Sequence, residues 1–308
     1  MPEFRTGTLD QIAFLEDLVA AGLLAPTGVH GVYARGGDFE RVRLALDALI
    51  TRTAAPESPE PLHHPPLFPR EQLERNGYLG SFPHLAGTVF SFDGDESAAA
   101  EQLALASRHE DWSAFQSMTE MVLTPAACYP LYPAVAARGP LPERGLTLDT
   151  GDAYVFRREP SSDPSRMQIF HMREIVRVAD RETVIEWRSV WRARAEELLR
   201  GLGLELELDI ASDPFFGRTG RLLAAQQRDQ ELKWELLAPV AGRPSAIASS
   251  NYHQDHFGEI YEIATAEGEV AHTGCMAFGE ERVTLALFSA HGSDLRSWPA
   301  EVLAALEL

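Results

Sequence analysis

The residue types best suited to chemistry stand close together in one stretch, FRRE followed by the polar segment PSSDPSR and an aromatic residue. Arg157 and Glu159 precede that segment, Arg166 ends it and Phe170 follows it. A guanidinium group binds phosphate, a carboxylate can accept a hydrogen bond from the adenine amino group, and a ring can stack under the base. The pattern indicates a nucleotide site. The alternative is a charged hairpin that is simply exposed to solvent.

A second candidate is the sequence FGEER, which directly precedes an apolar run. The glycine and the two glutamates predict the start of a helix, and Arg282 follows in its first turn. The positive end of a helix favours phosphate, so Arg282 could bind a phosphate there. The alternative is an ordinary solvated first turn.

The chain has two cysteines, Cys128 and Cys275, which lie far apart in the sequence. In a cytosolic protein such a pair seldom forms a disulfide. From composition alone, two small buried hydrophobic residues are the simpler interpretation.

Apolar patterning predicts the elements that carry these side chains. A helix is expected from Asp38, with apolar residues on one face, and a second from Glu182 to Gly201. Strands are expected at GYLGSF, HLAGTVFSF, MVLTPAACYPLYP, AYVFRRE, RMQIFHMREIVRV, LELELDI, LKWELLAPV and GEIYEIAT. The segment from His272 should begin as a strand and become a helix at about Glu280. Without a regular βαβ rhythm, we predict an α+β fold: an antiparallel sheet flanked by helices.

Composition limits the class of protein. The 308 residues include 27 basic and 46 acidic side chains, a formal net charge of −19. Such a field would repel nucleic acid, so no nucleic-acid partner is expected. No apolar run approaches the length of a membrane span, and the N-terminus lacks the pattern of a secretion signal. We therefore expect a cytoplasmic protein without a membrane partner.

Together, and in this order, the motifs resemble those of class II aminoacyl-tRNA synthetases, most closely the seryl branch. The helix from Asp38 and the segment PPLFPREQLERNGYLGSFPHLAGTVFSF resemble motif 1, FRRE…RMQIF resembles motif 2, and CMAFGEERV resembles motif 3. LTPAACYP stands where seryl enzymes carry a loop that binds the substrate amine, with Cys128 at its glutamate position. The resemblance extends from about Leu24 to Gly292 and implies that fold.

The same resemblance changes the interpretation of the cysteines. Cys128, Glu174 and Cys275 correspond to the Cys/Glu/Cys pattern of the atypical, methanogen-type seryl-tRNA synthetases and of the amino acid:[carrier protein] ligases related to them. Three protein ligands and one open position are typical of catalytic or substrate-binding zinc. The resemblance therefore implies a zinc site on three core strands that binds the substrate amine.

Four stretches are similar specifically to the carrier-protein ligases: GVHGVYARGGDFE, NGYLGSFPHLAGTVFSF, ASDPFFGRTG and SSNYHQDHFGEIYEI. Only 37 residues precede Asp38, too few for a tRNA-binding arm, so residues 1–308 are expected to form a single catalytic domain. The resemblance implies that a small amino acid, glycine or alanine, is activated by ATP as an aminoacyl-adenylate. The aminoacyl group would then pass to the phosphopantetheine thiol of a carrier protein.

The resemblance also implies roles for individual residues. Arg157 would bind the α-phosphate of ATP and Arg282 the γ-phosphate, with Arg166 adding to the triphosphate end and Mg²⁺ bridging the phosphates. Glu159 and Phe170 would bind adenine. The magnesium ligands stay open, because the position six residues before Asn251, a glutamate in seryl synthetases, is Ser245 here.

Three further expectations are less specific. Trp234, Asn251 and His253 are candidate walls for the substrate side chain, although ordinary core roles serve equally well. Arg218 and Arg221 are the favoured carrier-docking residues, with Arg188, Arg192 and Arg194 as the alternative segment. A homodimer is expected, because the apolar face of the helix at 39–50 and the strand after it would be bare in a monomer.

Two other functions stay open. One is a seryl-type enzyme that aminoacylates tRNA, which the charge and the short N-terminal segment oppose. The other is a catalytically inactive paralogue that binds an amino acid, which the complete set Arg157, Glu159 and Arg282 opposes.

Overall fold

The computed structural model describes residues 7–308, except for the side chains of two residues at 218 and 219. The helices are α1 (Leu9–Ala20), α2 (Gly37–Ala54), α3 (Arg70–Arg75), α4 (Tyr78–Ser81), α5 (Glu96–Ser107), α6 (Leu131–Ala136), α7 (Arg181–Gly201), α8 (Gly217–Asp229), α9 (His256–Tyr261), α10 (Glu280–His291) and α11 (Ala300–Leu306). The strands are β1 (Leu24–Pro26), β2 (Tyr33–Arg35), β3 (Glu60–Pro61), β4 (Leu67–Pro69), β5 (Thr88–Phe92), β6 (Gln116–Leu123), β7 (Leu146–Asp149), β8 (Ala153–Phe156), β9 (Ile169–Ala179), β10 (Glu207–Ile210), β11 (Lys233–Val240), β12 (Arg243–Gln254) and β13 (His272–Gly279).

An eight-stranded sheet forms the centre of the protein, in the order β10-β11-β12-β13-β9-β7-β3, with β8 also paired to β9. Its pairs are antiparallel except for the short parallel contact of β3 with β7. The two central strands, β9 and β13, are buried along most of their length. The predicted α+β fold with an antiparallel sheet is confirmed.

Helices α2, α7 and α10 pack against this sheet or against one another. Phe39, Val42, Leu46 and Ile50 of α2 are fully buried inside the chain, and the ring of Phe39 stacks on Phe288 of α10 at 5.8 Å. Burying such side chains removes apolar area from water and stabilises the fold. The expectation that this helix face is bare in a monomer is therefore wrong, because α10 and α11 cover it.

Two segments expected to be strands are helical. GYLGSF contains α4, which starts after Gly77 in the left-handed region (φ 74°). GEIYEIAT overlaps α9, where Phe257 and Tyr261, four residues apart, both pack near Tyr132. Aromatic residues favour strands by local propensity, but tertiary packing selects the helix here.

The remaining strands form two small sheets. β1 and β2 form an antiparallel hairpin next to α1, and β4, β6 and β5 form a three-stranded antiparallel sheet in that order. Among residues 7–308, no helix is long and apolar enough to cross a membrane.

Candidate active site

One face of the central sheet forms the floor of a cavity, and strand register decides which side chains meet there. Lys233, Asn251 and Cys275 lie side by side on β11, β12 and β13. Two residues further along these strands, Glu235, Ser249 and Ala277 form a second row that continues to Glu174 on β9. Residues directly opposite in a ladder point to the same side of the sheet. All seven side chains line the cavity.

At one end of the cavity two thiols meet a carboxylate. Cys128, Glu174 and Cys275 are all buried, and Glu174 Oε1 accepts a hydrogen bond from Cys128 N at 3.1 Å. Cys275 Sγ accepts a hydrogen bond from Asn251 Nδ2 at 3.3 Å. Burial raises the pKa of the Cys128 thiol, and the hydrogen bond with Cys128 followed by burial raises the pKa of Cys275 well above its ordinary value. Three acidic groups thus share one desolvated space.

The zinc prediction is not confirmed by this arrangement. Within residues 7–308, no three or more His, Cys, Asp or Glu side chains are placed so that they could hold a metal ion. The donor types suit zinc, but the Glu174 carboxylate turns to the Cys128 backbone and the Cys275 sulfur to Asn251. Cys128 also lies in the turn after β6, not on a core strand as expected.

Two arginines lie at the opposite end of the cavity, against one aromatic ring. The guanidinium carbons of Arg157 and Arg282 lie 5.9 and 6.0 Å from the centre of the Phe170 ring. Arg282 Nε donates to the Ser165 carbonyl at 2.7 Å and its Nη1 to the Ala246 carbonyl at 3.0 Å. Arg157 Nε donates to the Pro125 carbonyl at 3.2 Å. Backbone oxygens therefore fix both side chains toward the cavity.

This end of the cavity is strongly positive. Burial, followed by the charges of Arg166 and Arg157, lowers the pKa of Arg282. Glu159 lies on the same loop, with Arg166 Nη1 at 3.8 Å from its Oε1. Arg166 Nε also lies 3.9 Å from Asp163 Oδ2, so two carboxylates of the same loop accompany the three guanidinium groups. Guanidinium groups gathered in this way suit a polyanion such as a triphosphate.

An ion pair on the cavity wall was not predicted from the sequence. Lys233 Nζ donates to Asp213 Oδ1 at 2.5 Å, and Gln227 Nε2 of α8 donates to Asp213 Oδ2 at 2.9 Å. Burial alone would raise the pKa of Asp213, but the charge of Lys233 and these hydrogen bonds outweigh it and lower the pKa to about 2. The one available signal was a lysine inside the apolar run LKWELL.

The candidate walls for the substrate side chain do not all face the cavity. Asn251 and His253 line it, and His253 Nε2 lies 3.8 Å from Cys275 Sγ. Trp234 lies between two cavity-facing residues of β11, so its ring points to the other face of the sheet. There the Arg192 guanidinium covers it at 4.5 Å from the ring centre. Trp234 is therefore not part of the cavity wall.

The two candidate docking segments differ in how their arginines are engaged. Arg221 is exposed on α8, and Arg218 lies outside the described residues. In the alternative segment, Arg188 donates to the carbonyls of residues 231 and 232. Arg192 covers Trp234, and Arg194 is paired with Glu57 at 2.6 Å. Arg221 is therefore the more available of the described candidates.

Comparisons with known proteins identify relatives of this chain and agree with its fold. No family model matches the chain. Amino acid–[acyl-carrier-protein] ligase 1 of Bradyrhizobium diazoefficiens is 46% identical over 299 residues, covering 96% of this chain and 90% of that protein. Ligase 2 of the same organism is 44% identical over 288 residues, covering 93% of this chain and 86% of that protein.

Among solved structures, M. kandleri SerRS in complex with A. aeolicus tRNASec superimposes with a TM-score of 0.80 at 20% identity. The match covers 96% of this chain but only 60% of the synthetase chain. The fold is therefore that of class II aminoacyl-tRNA synthetases. The chain belongs to the family of amino acid–[acyl-carrier-protein] ligases, as its identity with two such ligases over nearly its whole length shows.

Proposed function

We propose that the protein uses ATP to activate a small amino acid and transfers it to the phosphopantetheine thiol of a carrier protein. The observation that carries this proposal is a single cavity with a guanidinium cluster at one end and the Cys128–Glu174–Cys275 group at the other. A triphosphate fits the first end, and an ammonium or amine group fits the second. An amino acid carboxylate would lie between them, next to the α-phosphate.

The first step requires the protein to align the amino acid carboxylate with the α-phosphate of ATP, and it requires no covalent catalysis. An oxygen of the amino acid carboxylate bonds to the α-phosphorus, the α–β phosphoanhydride bond breaks, and diphosphate leaves with the electron pair. Arg157 would stabilise negative charge developing at the α-phosphate, while Arg282 and Arg166 bind the leaving diphosphate. Glu159 and Phe170 would hold adenine, and magnesium would neutralise further phosphate charge.

In the second step the carrier thiolate bonds to the carbonyl carbon of the adenylate and AMP leaves, which gives a thioester. The group formed by Cys128, Glu174 and Cys275 would bind the substrate amine through both steps, either directly at Glu174 or through a zinc ion held by the three side chains, and would thus hold the carbonyl in place. A carboxylic acid without an amino group would leave this buried group without a bound amine. The site should therefore discriminate strongly against such acids in favour of amino acids. Glycine and alanine are the proposed substrates.

Carrier docking is proposed at α8, because Gln227 of this helix lines the cavity and most of its described side chains are exposed. Asp213 and Gln227 line the cavity, and the rings of Phe215 and Phe82 stack at 5.0 Å. Exposed Leu222 lies next to Arg221 on the helix. A basic and apolar surface can bind an acidic carrier despite the net charge of −19.

A homodimer is proposed through the small sheet β4-β6-β5. Phe90 and Met118 are directly opposite on β5 and β6, and they are 54% and 43% exposed. Phe92 is 39% exposed two residues along. β5 is also an edge strand, so a twofold partner could cover both this apolar surface and the unpaired edge.

Amino-acid-dependent exchange of diphosphate into ATP tests the proposal. We expect exchange with glycine or alanine, followed by transfer to a phosphopantetheinylated carrier protein and none to tRNA. Transfer to tRNA in place of the carrier would favour the tRNA-aminoacylating alternative. Binding of an amino acid without any exchange would instead identify an inactive paralogue.

A further inference from the structure

The N-terminal segment, residues 7–11, touches the loop that carries Arg157 and Arg166. We call residues 157–168, between β8 and β9, the arginine loop. Gln11 of α1 is only 7% exposed, and its Nε2 donates to Asp163 Oδ2 at 2.8 Å. Gly7 N donates to Ser162 Oγ at 2.8 Å. These contacts join parts of the chain more than 150 residues apart in sequence.

The contact with Gln11 continues to a site arginine. The other carboxylate oxygen of Asp163 accepts hydrogen bonds from Ser165 N at 2.9 Å and Ser165 Oγ at 2.7 Å. The carbonyl oxygen of Ser165 in turn accepts from Arg282 Nε at 2.7 Å. Gln11, Asp163, Ser165 and Arg282 thus form one continuous series of hydrogen bonds, of which only the last member reaches the cavity.

A second anchor lies at the other end of the loop. Gln168 is 2% exposed, its N donates to the Gly31 carbonyl at 2.8 Å, and its Nε2 donates to the His30 carbonyl at 2.7 Å. The Gln168 carbonyl accepts from Arg157 N at 2.8 Å. Gly31 has φ +75°, and a Cβ there would lie 3.1 Å from the Arg166 carbonyl, so a larger residue would disturb this approach.

We propose that the N-terminal segment fixes the arginine loop for ATP and that Gln11 is a positioning residue. Gln11 does not touch the cavity, and it acts through Asp163 and Ser165 on the orientation of Arg282. Guanidinium groups stabilise a developing charge best when they are already in place, because no reorganisation is then needed at the moment of reaction. The inference rests on the proposed function, since it assigns ATP to the cavity.

The primary test is Gln11→Leu, assayed by diphosphate exchange and by calorimetric titration with ATP in the absence of amino acid. Loss of a buried hydrogen bond to a charged group corresponds to about a tenfold change in an equilibrium constant. We expect the KM and the Kd for ATP to rise about tenfold, with the KM for the amino acid unchanged.

Exchanging the amide and the carboxylate between positions 11 and 163 distinguishes a positioning role of Gln11 from a general loss of stability. In the double variant Gln11→Glu/Asp163→Asn, the new amide can donate to the new carboxylate, which reverses the hydrogen bond and keeps its geometry. The second carboxylate oxygen can still accept from Thr8 N, as Gln11 Oε1 does at 2.8 Å. We expect Gln11→Glu alone to weaken ATP binding, because two carboxylates then face each other, and the double variant to restore it.

Thr8→Ala is the matched control. It removes the side chain that caps α1 by accepting from Gln11 N, and it leaves the contact with Asp163 intact. We expect unchanged ATP affinity in this variant. A rise equal to that of Gln11→Leu would show that helix stability alone is responsible and would overturn the inference.

The remaining outcomes are also decisive. Wild-type ATP affinity in Gln11→Leu, or no recovery in a folded double variant, overturns the positioning role. If wild-type protein binds ATP but catalyses no exchange, the proposed function fails, and the calorimetric comparison still decides the inference. If wild-type protein binds no ATP, both fail.

Discussion

At the scale of single residues, the cavity presents a group of arginines and a separate group of acidic side chains. Its positive end presents Arg157 and Arg282 against Phe170, and its acidic end holds the buried thiols and Glu174. Desolvation strengthens electrostatic interactions at both ends. In the proposed function, a substrate with an anionic and a cationic group would therefore be oriented by charge before any bond changes.

The arginines provide the most direct test at this scale. Arg157→Ala and Arg282→Ala should each lower the rate of diphosphate exchange at least about 100-fold, because each removes a preorganised positive charge from the transition state. Arg200→Ala, on the exposed end of α7, is the control and should leave the rate unchanged. Near-normal exchange in either site variant would contradict the assignment.

Zinc is a separate proposal at the acidic end. The contacts among Cys128, Glu174 and Cys275 supply suitable donor types, but binding would require the Glu174 carboxylate to leave the Cys128 backbone N–H. We expect elemental analysis of active protein to find about one zinc per chain, and Cys128→Ala to remove it without unfolding the protein. Active protein free of zinc would rule the proposal out.

The pair formed by Asp213 and Lys233 predicts a pH dependence. The pKa of Asp213 is lowered from 3.8 to about 2 in the folded protein. Its stabilising contribution is therefore complete above pH 4 and is lost as the pH falls through about 2. Urea unfolding should show Asp213→Asn less stable than wild type at pH 6, with the difference shrinking between pH 4 and 2. A difference independent of pH would contradict this account.

At the scale of elements, α8 and the loop before it contribute part of the cavity wall. Asp213 and Gln227 attach this segment to the sheet through Lys233, while Arg221 and Leu222 on the same helix are exposed. One element could thus contact the amino acid side of the cavity and the incoming carrier. In the proposed function, the part attached to the sheet would position the substrate, and the exposed part would be available to the carrier protein.

A charge reversal on this helix tests carrier docking. Arg221→Glu should raise the apparent KM for carrier protein severalfold (about 3- to 10-fold), because a rim charge acts mainly on association. Diphosphate exchange does not involve the carrier and should be unchanged. The matched variant Arg200→Glu should have no effect on either reaction. Normal transfer by Arg221→Glu would place the docking surface elsewhere.

At the scale of the whole molecule, the central sheet and its helices enclose their own core, whereas the small sheet β4-β6-β5 buries apolar residues such as Phe68 and Val122 on one side only. Phe90, Phe92 and Met118 on this small sheet remain exposed, and α2, expected to be the bare element, is covered. An apolar edge strand of this kind favours association with a second copy.

Assembly can be measured directly. Wild-type protein should scatter light as a species of about twice the 34.0 kDa chain mass at micromolar concentration. Phe90→Glu should shift the population to monomer, because a charge would be buried in the interface. Val190→Glu, at a comparably exposed position on α7 (48%), should remain dimeric. A monomeric wild-type protein would contradict the proposal.

Local sequence patterns were sufficient to predict the elements whose apolar periodicity and terminal residues agree with their packing in the structure. The apolar period from Asp38 and the change from strand to helix at Glu280 gave α2 and α10 nearly to the residue. The hairpin around the polar segment PSSDPSR became β8 and β9 with the arginine loop between them. The order of the three motifs predicted the class II synthetase fold, and four longer stretches, among them ASDPFFGRTG, predicted the carrier-protein ligase family.

Only the tertiary structure decided which side chains meet. Trp234 and Lys233 are neighbours in sequence, but strand alternation sends one to the helix side and the other into the cavity. α4 and α9 are helical because of their packing, which a short segment of sequence does not encode. The contact of Gln11 with Asp163 joins residues 152 positions apart. Such a pairing depends on how whole elements pack against one another. The interactions that fix it therefore come from residues outside the local sequence.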